Sequence, residues 1–325
     1  MQNYKVVKYS SDFFQEWNNF IQDAKNSTFL FHREFIEYHQ DRFEDYSQMI
    51  YKGSKLIAVF PANRKGNTVY SHEGLTYGGL ILPKEIKFEA VIQVFKELLL
   101  FLNNNGCIEL ILKQIPSIYN TLFTEEIQYL MYVLQASLIK RETLSVLNME
   151  NKVKVSGNRL EGYKRGVKHQ LVVREENQFE PFWNSILIPN LRKKHNAKPV
   201  HSLQEIEMLK ASFPKNIRQF NVYKDDEIIA GTTIFESGQV AHSQYISGSE
   251  QNNQLGSLDF LYIHLINNVF KNKKYFDFGT SNECDGLKVN KGLQFWKEGF
   301  GARTVTQDFY NIFTSNHKIL NEVLI

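Results

Sequence analysis

The stretch Tyr275–Tyr310 reads YFDFGTSNECDGLKVNKGLQFWKEGFGARTVTQDFY. It begins with a predicted strand, Tyr275–Phe278, in which aromatic and acidic residues alternate, and it continues into the polar loop Thr280–Asp285. The amphipathic segment Val289–Lys297 is predicted to be helical, and a second strand leads to Tyr310. Ligands of α/β domains bind where strand ends open a crevice, which is also where such a polar loop lies. The stretch therefore predicts an α/β fold with a functional site directly after Phe278.

The size of the chain and its hydropathy pattern limit the class of protein. A length of 325 residues predicts two domains, at about 100–200 residues per domain. The amino terminus shows no apolar core of a signal peptide. The most apolar helix, Val91–Leu102, is broken by Lys96 and Glu97 and is too short to span a bilayer. We therefore expect a cytoplasmic protein without a transmembrane segment.

The net charge and the spacing of metal-ligand residues argue against two further classes of protein, DNA-binding proteins and metalloproteins. The net charge of +3 is too small for a dedicated DNA-binding protein. The nine histidines form no HExxH motif or close cluster, and Cys107 and Cys284 cannot supply a zinc site unaided. No metal site is therefore expected.

The two halves of the chain repeat one order of elements: three antiparallel strands, a helix and a final strand. Shifting the sequence by 172 positions aligns Tyr51-Lys52 with Tyr223-Lys224, and Ile57-Ala58 with Ile229-Ala230. We interpret this as a duplication. The predicted domains are residues 1–155 and 156–325.

Each half ends in a strand–helix–strand connection. Such a right-handed crossover makes the last strand parallel to the strand before the helix, so each half forms a mixed sheet. Where the two parallel strands diverge, backbone groups are left unpaired, and an extended ligand can hydrogen-bond there like an added strand. The amino terminus of the crossover helix, just beyond, favours a phosphate.

A basic segment, Ser156–Glu176, lies between the halves, and a helix is predicted over residues 156–170. Its basic residues have helical spacing, which fits either a solvated helix face or a surface that contacts phosphate. The candidate phosphate ligands are Tyr163, Lys164 and Arg165.

The order of elements resembles the GNAT acyltransferase fold, present twice, as in the FemAB and FemX peptidoglycan aminoacyltransferases and their bacterial relatives. The run Tyr275–Gly279 resembles the "fDfgG" strand of that superfamily, and Gly292–Gly301 resembles its "GL–(F)K–GFG" motif. The resemblance extends along both halves and is nearest to the FemAB-like N-acetyltransferases of envelope-polysaccharide loci. It implies two tandem GNAT-like domains and an acyltransferase activity.

The resemblance also implies donor and catalytic residues. The pyrophosphate loop of GNAT enzymes matches Gln251–Gly256, so Gln251, Gly256 and Ser257 are expected to contact the donor. Acyl-CoA is the implied donor substrate, with no tightly bound cofactor. Gln254 replaces a glycine of that loop and would obstruct the approach of phosphates, and aminoacyl-tRNA is therefore the alternative donor. Lys297 matches the motif lysine, which implies electrostatic stabilisation of the oxyanion or of the leaving group.

Acyl transfer to an amine also requires a base. His242 lies on the predicted strand Gln239–Ser247, and histidine is the side chain that most often serves as a general base, so it is the candidate general base, with a structural histidine as the alternative. Gln244 shares the face of His242 by alternation and would orient the acceptor. Asp277 is expected to point away from its two phenylalanine neighbours, into the crevice or at a helix, as a third catalytic candidate. Further acceptor contacts are assigned to Asn282, Asp285 and Asn290, and in the first half to His72 and Tyr77.

We therefore expect an N-acyltransferase that moves an acyl group from acyl-CoA to an amine of a cell-envelope precursor. A nucleotide-linked amino sugar is the preferred small-molecule acceptor. The alternatives are a tRNA-dependent aminoacyltransferase of the FemX type and a non-catalytic pseudo-transferase that binds a peptide or a sugar.

Overall fold

The computed structural model describes residues 4–325, except for the side chains of Lys194 and His195. It divides into two compact units. Unit 1 comprises the described residues up to Glu142 together with Thr306–Ile325, and unit 2 comprises Thr143–Val305. The predicted domains, 1–155 and 156–325, differ from these units, because the last strand of each half of the chain belongs to the other unit.

The strands and helices follow in chain order. The strands are β1 (Tyr4–Lys8), β2 (Glu44–Asp45), β3 (Gln48–Lys52), β4 (Lys55–Phe60), β5 (Asn63–Lys65), β6 (Thr68–Tyr70), β7 (Glu109–Lys113), β8 (Ser137–Asn148), β9 (Val172–Glu176), β10 (Ile217–Lys224), β11 (Glu227–Glu236), β12 (Val240–Gly248), β13 (Tyr275–Thr280), β14 (Asn282–Glu283), β15 (Lys288–Val289) and β16 (Arg303–Phe313). The helices are α1 (Phe14–Asp23), α2 (Arg33–Glu37), α3 (Phe88–Asn104), α4 (Glu126–Val133), α5 (Gly157–Lys168), α6 (Glu180–Phe182), α7 (Ile188–His195), α8 (Leu203–Ser212), α9 (Asn252–Leu255), α10 (Ser257–His264) and α11 (Lys291–Glu298). A π-helical turn, Trp183–Leu187, joins α6 to α7, and another, Leu265–Val269, extends α10.

Unit 1 contains an antiparallel sheet of order β1-β3-β4 and a run of strands of order β2-β5-β6-β7-β16. Strands β6 and β7 are parallel, as predicted for the strands that flank the crossover helix α3. The apolar face of α3 is buried in the core, for example at Phe95, Leu98 and Leu99. The predicted three-strand meander is wrong in this half, because the chain leaves the β3-β4 pair after Phe60 and forms a separate hairpin, β5-β6.

Unit 2 has the strand order β8-β13-β12-β11-β10-β9. Its meander β10-β11-β12 is antiparallel, and β12 and β13 are parallel neighbours joined by α10, as predicted. Helix α10 buries Leu261 and Tyr262 against Phe276 and Phe278 of β13. Strand β9, which pairs with β10, was not expected, because the prediction for Ser156–Glu176 gave only a helix over residues 156–170 and no strand after it.

Each unit is completed by a strand from the other half of the chain. Residues 144–148 of β8 pair with β13 in unit 2, and residues 309–313 of β16 pair with β7 in unit 1. The prediction that a strand over 142–148 finishes the first domain was therefore wrong. Its alternating sequence indicated a strand but carried no information about its partner.

In the part of the chain that the structure describes, no helix is long and apolar enough to cross a membrane.

Candidate active site

The parallel strands of unit 2 separate, as their sequence pattern predicted. Strands β12 and β13 pair only over Val240–His242 and Tyr275–Asp277. Beyond this point β13 turns at Gly279, whose φ of +69° is in the left-handed region. Strand β12 continues to Gly248, and no further pair joins it to β13 among the described residues. The result is a split in the sheet, which we call the unit 2 split, with the edge of β12 along one side.

His242 and Asp277 form a hydrogen-bonded pair where the split begins. The distance from His242 Nδ1 to Asp277 Oδ2 is 2.8 Å, and the Asp277 carboxylate is 1% exposed. Its other oxygen accepts a hydrogen bond from the Gly279 N–H at 2.7 Å. A carboxylate on Nδ1 holds the imidazole in the tautomer whose Nε2 accepts a proton, and it stabilises the imidazolium that results. Asp277 thus points away from its phenylalanine neighbours, in agreement with the sequence pattern.

A β-bulge lies at Gln244 and interrupts the simple alternation from which its shared face with His242 was predicted. Ser243 pairs with Ile234 and Tyr245 with Thr233, which makes Gln244 the extra residue of a β-bulge. Its side-chain oxygen Oε1 is buried and has no hydrogen-bond partner in the structure. The bulge bends β12 at the split, which period-two counting along the sequence could not reveal.

Lys297 lies directly behind this pair, on α11. Its side chain is 2% exposed, and Nζ donates to the main-chain oxygens of Gly279 at 3.0 Å and Thr280 at 2.6 Å. Burial lowers the pKa of Lys297 to about 8, against an opposing effect of the Asp277 carboxylate. Two of its three N–H groups therefore hold the turn that carries the Asp277–Gly279 contact. This geometry makes Lys297 a positioning residue, whereas the sequence motif implied direct stabilisation of the oxyanion.

Replacing Lys297 by methionine should loosen this turn and lower kcat by roughly 10-fold to 100-fold, with a smaller change in KM.

The wild type should also gain stability relative to K297M as the pH rises from about 8 to 10. Because the pKa of Lys297 is depressed in the fold, the unfolded chain binds more protons in that window, and stability rises with pH. Urea unfolding of both proteins at pH 7 and pH 10 measures this difference. A stability difference independent of pH would contradict the buried ammonium.

The loop after β13 uses its polar side chains mainly for its own structure. Asn282 Oδ1 accepts from the Thr143 N–H at 2.7 Å and from the hydroxyls of Thr143 and Thr280. Asn290 Oδ1 caps α11 by accepting from the Leu293 N–H at 3.0 Å. Asp285 is exposed and has a φ of +53°. Three residues of this loop were predicted to contact the acceptor. Asn282 and Asn290 bond within the loop and its neighbours, and the Asp285 side chain is exposed to solvent.

A cavity of about 450 Å³ lies at the carboxyl end of β12, and we call it the β12 cavity. Beside it, Asn252 Oδ1 accepts from the Ser257 hydroxyl at 2.7 Å and from the Leu258 N–H at 3.0 Å. Ser257 is fully buried, so its predicted contact with a donor is contradicted. Gln251 is exposed and is the N-cap residue of α9. Asn252 is the first residue of α9 and lies six residues before Leu258, so no helix-capping pattern in the sequence indicated this contact.

Gly256 has a φ of +70°, and a Cβ placed there would lie 2.0 Å from the Gly162 carbonyl oxygen. Helix α5 therefore packs directly on the turn before α10, through Gly162 and Gly166. Gly256 allows this close approach of two backbones, so its predicted contact with a donor is replaced by a contact with α5.

The predicted phosphate ligands all lie on α5. Tyr163 stacks on Phe260 with ring centroids 5.5 Å apart, so its ring packs against α10. Lys164 and Arg165 are exposed, and Lys164 Nζ lies 2.9 Å from Glu161 Oε1. Only the two cationic residues are thus available to a ligand.

In unit 1 the corresponding divergence of β6 and β7 is closed by the chain itself. The Lys113 N–H donates to Ser71 Oγ, and the Gly78 N–H donates to the Lys113 carbonyl, both at 2.8 Å. Tyr77 is buried and donates to Thr28 Oγ1 at 3.1 Å, so its predicted role as an acceptor contact is contradicted. An extended ligand has no free strand edge at this position.

His72 lines a separate pocket of about 370 Å³ in unit 1. Its ring stacks on His39 with centroids 4.9 Å apart. Burial, together with the neighbouring His39, lowers the pKa of His72 to about 3, so the imidazole is neutral near pH 7. The structure therefore places His72 in a pocket as a neutral imidazole whose Nδ1 is buried without a hydrogen-bond partner.

The mixed sheet with its split beside the crossover helix defines the class of protein as one with the GNAT acyltransferase fold. Residues 151–297 match the family model described as Acetyltransferase (GNAT) domain. No curated protein sequence matches the chain.

Solved structures extend this likeness to both units. The crystal structure of FemX matches with a TM-score of 0.66 and 8% identity, over 94% of this chain and 96% of that one. L-PGS from Bacillus licheniformis matches with a TM-score of 0.57 and 11% identity, over 98% of both chains. The C-terminal domain of a putative lysylphosphatidylglycerol synthetase from Agrobacterium fabrum has a TM-score of 0.54 and 13% identity, over 82% of this chain and 84% of that one. The chain thus has a FemX-like tandem GNAT fold, and the prediction from its motifs is confirmed.

Proposed function

We propose that the chain is an N-acyltransferase whose chemistry takes place at the unit 2 split. The observation that carries this proposal is the His242–Asp277 pair, with Nδ1 and Oδ2 2.8 Å apart, at the point where β12 parts from β13. It puts an oriented base beside a strand edge that an extended donor can follow. Acyl-CoA is the proposed small-molecule donor, and the proposed acceptor is the amine of a cell-envelope precursor such as a nucleotide-linked amino sugar. The site of action would be the cytoplasm, where such compounds are made.

The residues account for each step of the reaction. His242 Nε2 takes a proton from the acceptor amine as its nitrogen attacks the thioester carbonyl. A C–N bond forms, and the oxyanion accepts hydrogen bonds from main-chain N–H groups on the free edge of β12. The C–S bond then breaks, and the thiolate leaves as a thiol with the proton held on His242. Asp277 keeps the imidazole oriented throughout, and Lys297 holds the turn that supports Asp277.

Thiol release measures this activity directly. We expect the purified protein to release free thiol from acetyl-CoA or a longer acyl-CoA only when an amino-sugar nucleotide is added, with the acylated amine detected by mass spectrometry. A second reaction with aminoacyl-tRNA and the same acceptors tests the alternative donor, which the exposed Lys164 and Arg165 favour because nucleic acids bind cations. Binding of the acceptor without turnover of any donor would overturn the proposed enzyme and favour a pseudo-transferase.

A further inference from the structure

The β12 cavity is lined by neutral polar groups. They are the amides and hydroxyls of Asn190, Ser247, Ser249, Asn252 and Asn253. Glu250 supplies a carboxylate that pairs with Lys193, and among the described lining residues there is no lysine or arginine. Phosphate groups brought into such a cavity would lose their hydration without gaining a cationic partner. A neutral chain with amide and hydroxyl groups, by contrast, finds hydrogen-bond partners there.

The amino terminus of α10, the usual place for a diphosphate in such a fold, is closed. The Leu258 N–H already donates to Asn252 Oδ1 at 3.0 Å. The backbone of α5 occupies the space at Gly256, where a Cβ would lie 2.0 Å from the Gly162 oxygen. Asp259 adds a carboxylate to the first turn of the helix, and its Oδ1 lies 2.6 Å from Arg159. A diphosphate at this helix end would need free N–H groups, open space and a positive potential. Here the Leu258 N–H is already bonded, α5 fills the space, and Asp259 adds negative charge.

From the β12 cavity, the free edge of β12 leads back to the base. Three residues, Ser243–Tyr245, lie between His242 and Ile246, the first residue of β12 that lines the cavity, so the path along the strand is about 13 Å. An extended chain with amide groups fits this path, because it can hydrogen-bond along the edge as an added strand does.

The following inference rests on the proposed function, because it specifies the acyl donor of that reaction. We propose that the preferred acyl donor of unit 2 is the 4′-phosphopantetheine arm of an acyl carrier protein, with the CoA thioester as a poorer donor for the same reaction. The arm is a neutral, extended chain with two amide groups and the thioester at its end. Its single phosphate stays at the carrier, outside the cavity. The acceptor nitrogen attacks the thioester carbonyl, the C–S bond breaks, and the thiol remains on the carrier.

An exposed basic surface lies next to the cavity, where the carrier would dock. Helix α5 packs on α9, which contributes Asn252 and Asn253 to the cavity lining. Since Gly162 and Gly166 face α10, the other side of α5 presents its cations to solvent. These exposed cations are Lys164, Arg165 and Lys168. They complement the acidic surface and the phosphate of a carrier protein.

Three donors with the same acyl group test this inference: acyl-CoA, the truncated acyl-pantetheine, and the acylated carrier protein of a bacterium. We expect kcat/KM for acyl-pantetheine to be within about threefold of that for acyl-CoA, because the nucleotide makes no productive contact. The carrier should exceed both by at least tenfold, with a KM that rises with salt. A value for acyl-CoA tenfold above acyl-pantetheine would overturn the carrier and leave the acyltransferase intact. Turnover of aminoacyl-tRNA but of no thioester would overturn the thioester donor itself.

A charge-reversed variant supplies the second measurement. R165E/K168E should raise the KM for the carrier at least fivefold more than the KM for acyl-pantetheine. Lys271→Glu is the matched control, because Lys271 is exposed in the same unit but follows the opposite end of the extended α10. Equal effects of R165E/K168E on both donors would remove α5 from the docking surface.

Discussion

Replacing His242 by glutamine should lower kcat/KM by about 10²-fold to 10⁴-fold, the usual contribution of a positioned general base. Glutamine keeps most of the volume of the side chain but cannot take up a proton. Its amide can still hydrogen-bond the Asp277 carboxylate, which lies 2.8 Å from the imidazole in the wild type. The loss should therefore fall on the rate rather than on the fold. Thiol release at saturating donor measures it, with circular dichroism to show that the fold is intact.

Asp277→Asn should reproduce much of this loss. An asparagine amide in place of the carboxylate favours the opposite imidazole tautomer, with the proton on Nε2 where the base needs a lone pair. Gly279 would also lose the charged acceptor of its N–H. His264→Gln is the matched control in unit 2, because His264 lies on α10 and bonds only locally, to Asn268. If H242Q keeps more than a third of wild-type activity, His242 is a structural histidine and the base lies elsewhere.

Replacing Arg33 by methionine should lower the free energy of unfolding by about 1.5–3 kcal/mol, the range for hydrogen bonds to charged groups. The Arg33 side chain is 1% exposed and contacts Glu37 at 3.0 Å, the Asp45 carboxylate, and Ser47 Oγ at 3.3 Å. Its guanidinium also lies over the Tyr9 ring, 3.7 Å from the centroid. Methionine keeps the apolar packing but leaves the half-buried Asp45 carboxylate, 32% exposed, without its cation.

The pKa of Asp45 supplies an independent check on this variant. Burial alone would raise it, but the Arg33 charge and the hydrogen bonds from Ser47 outweigh burial and hold the pKa of Asp45 below its usual value. A depressed carboxylate pKa contributes stability above the unfolded pKa, which is lost as the pH falls through the folded pKa. The stability of R33M should therefore depend less steeply on pH in the acid range than that of the wild type.

Urea unfolding measures both effects, and the surface pair Arg174–Asp226 provides the control. The side chains of Arg174 and Asp226 are 47% and 84% exposed. Arg174→Met should leave the unfolding midpoint unchanged, because solvent screens an exposed pair. A loss below 1 kcal/mol in R33M would mean that the Arg33 cluster is held together by its aromatic neighbours instead.

The position of the split was predictable from the sequence, but the residues around it only in part. The alternation of Tyr275–Phe278 placed Asp277 on the face opposite its phenylalanine neighbours, because side-chain direction in a strand follows a period of two. The same rule does not apply through Gln244, where a bulge interrupts the period. The contact of Gly162 with Gly256 joins residues far apart in sequence, and that of Asn252 with Leu258 runs from one helix to the next, so no local pattern indicated either contact.

The sequence by itself determined the antiparallel meander of unit 2, the parallel pair beside each crossover, and the FemX-like tandem GNAT fold. These follow from hydrophobic period, turn residues and chain connectivity, which are local properties. Only the tertiary structure decided that β8 completes unit 2 and β16 completes unit 1. It also decided that the first sheet divergence is closed by Ser71 and Gly78 while the second stays open beside His242. The physical reason is that an alternating strand can pair with any complementary edge, so the choice of partner depends on the packing of the whole chain.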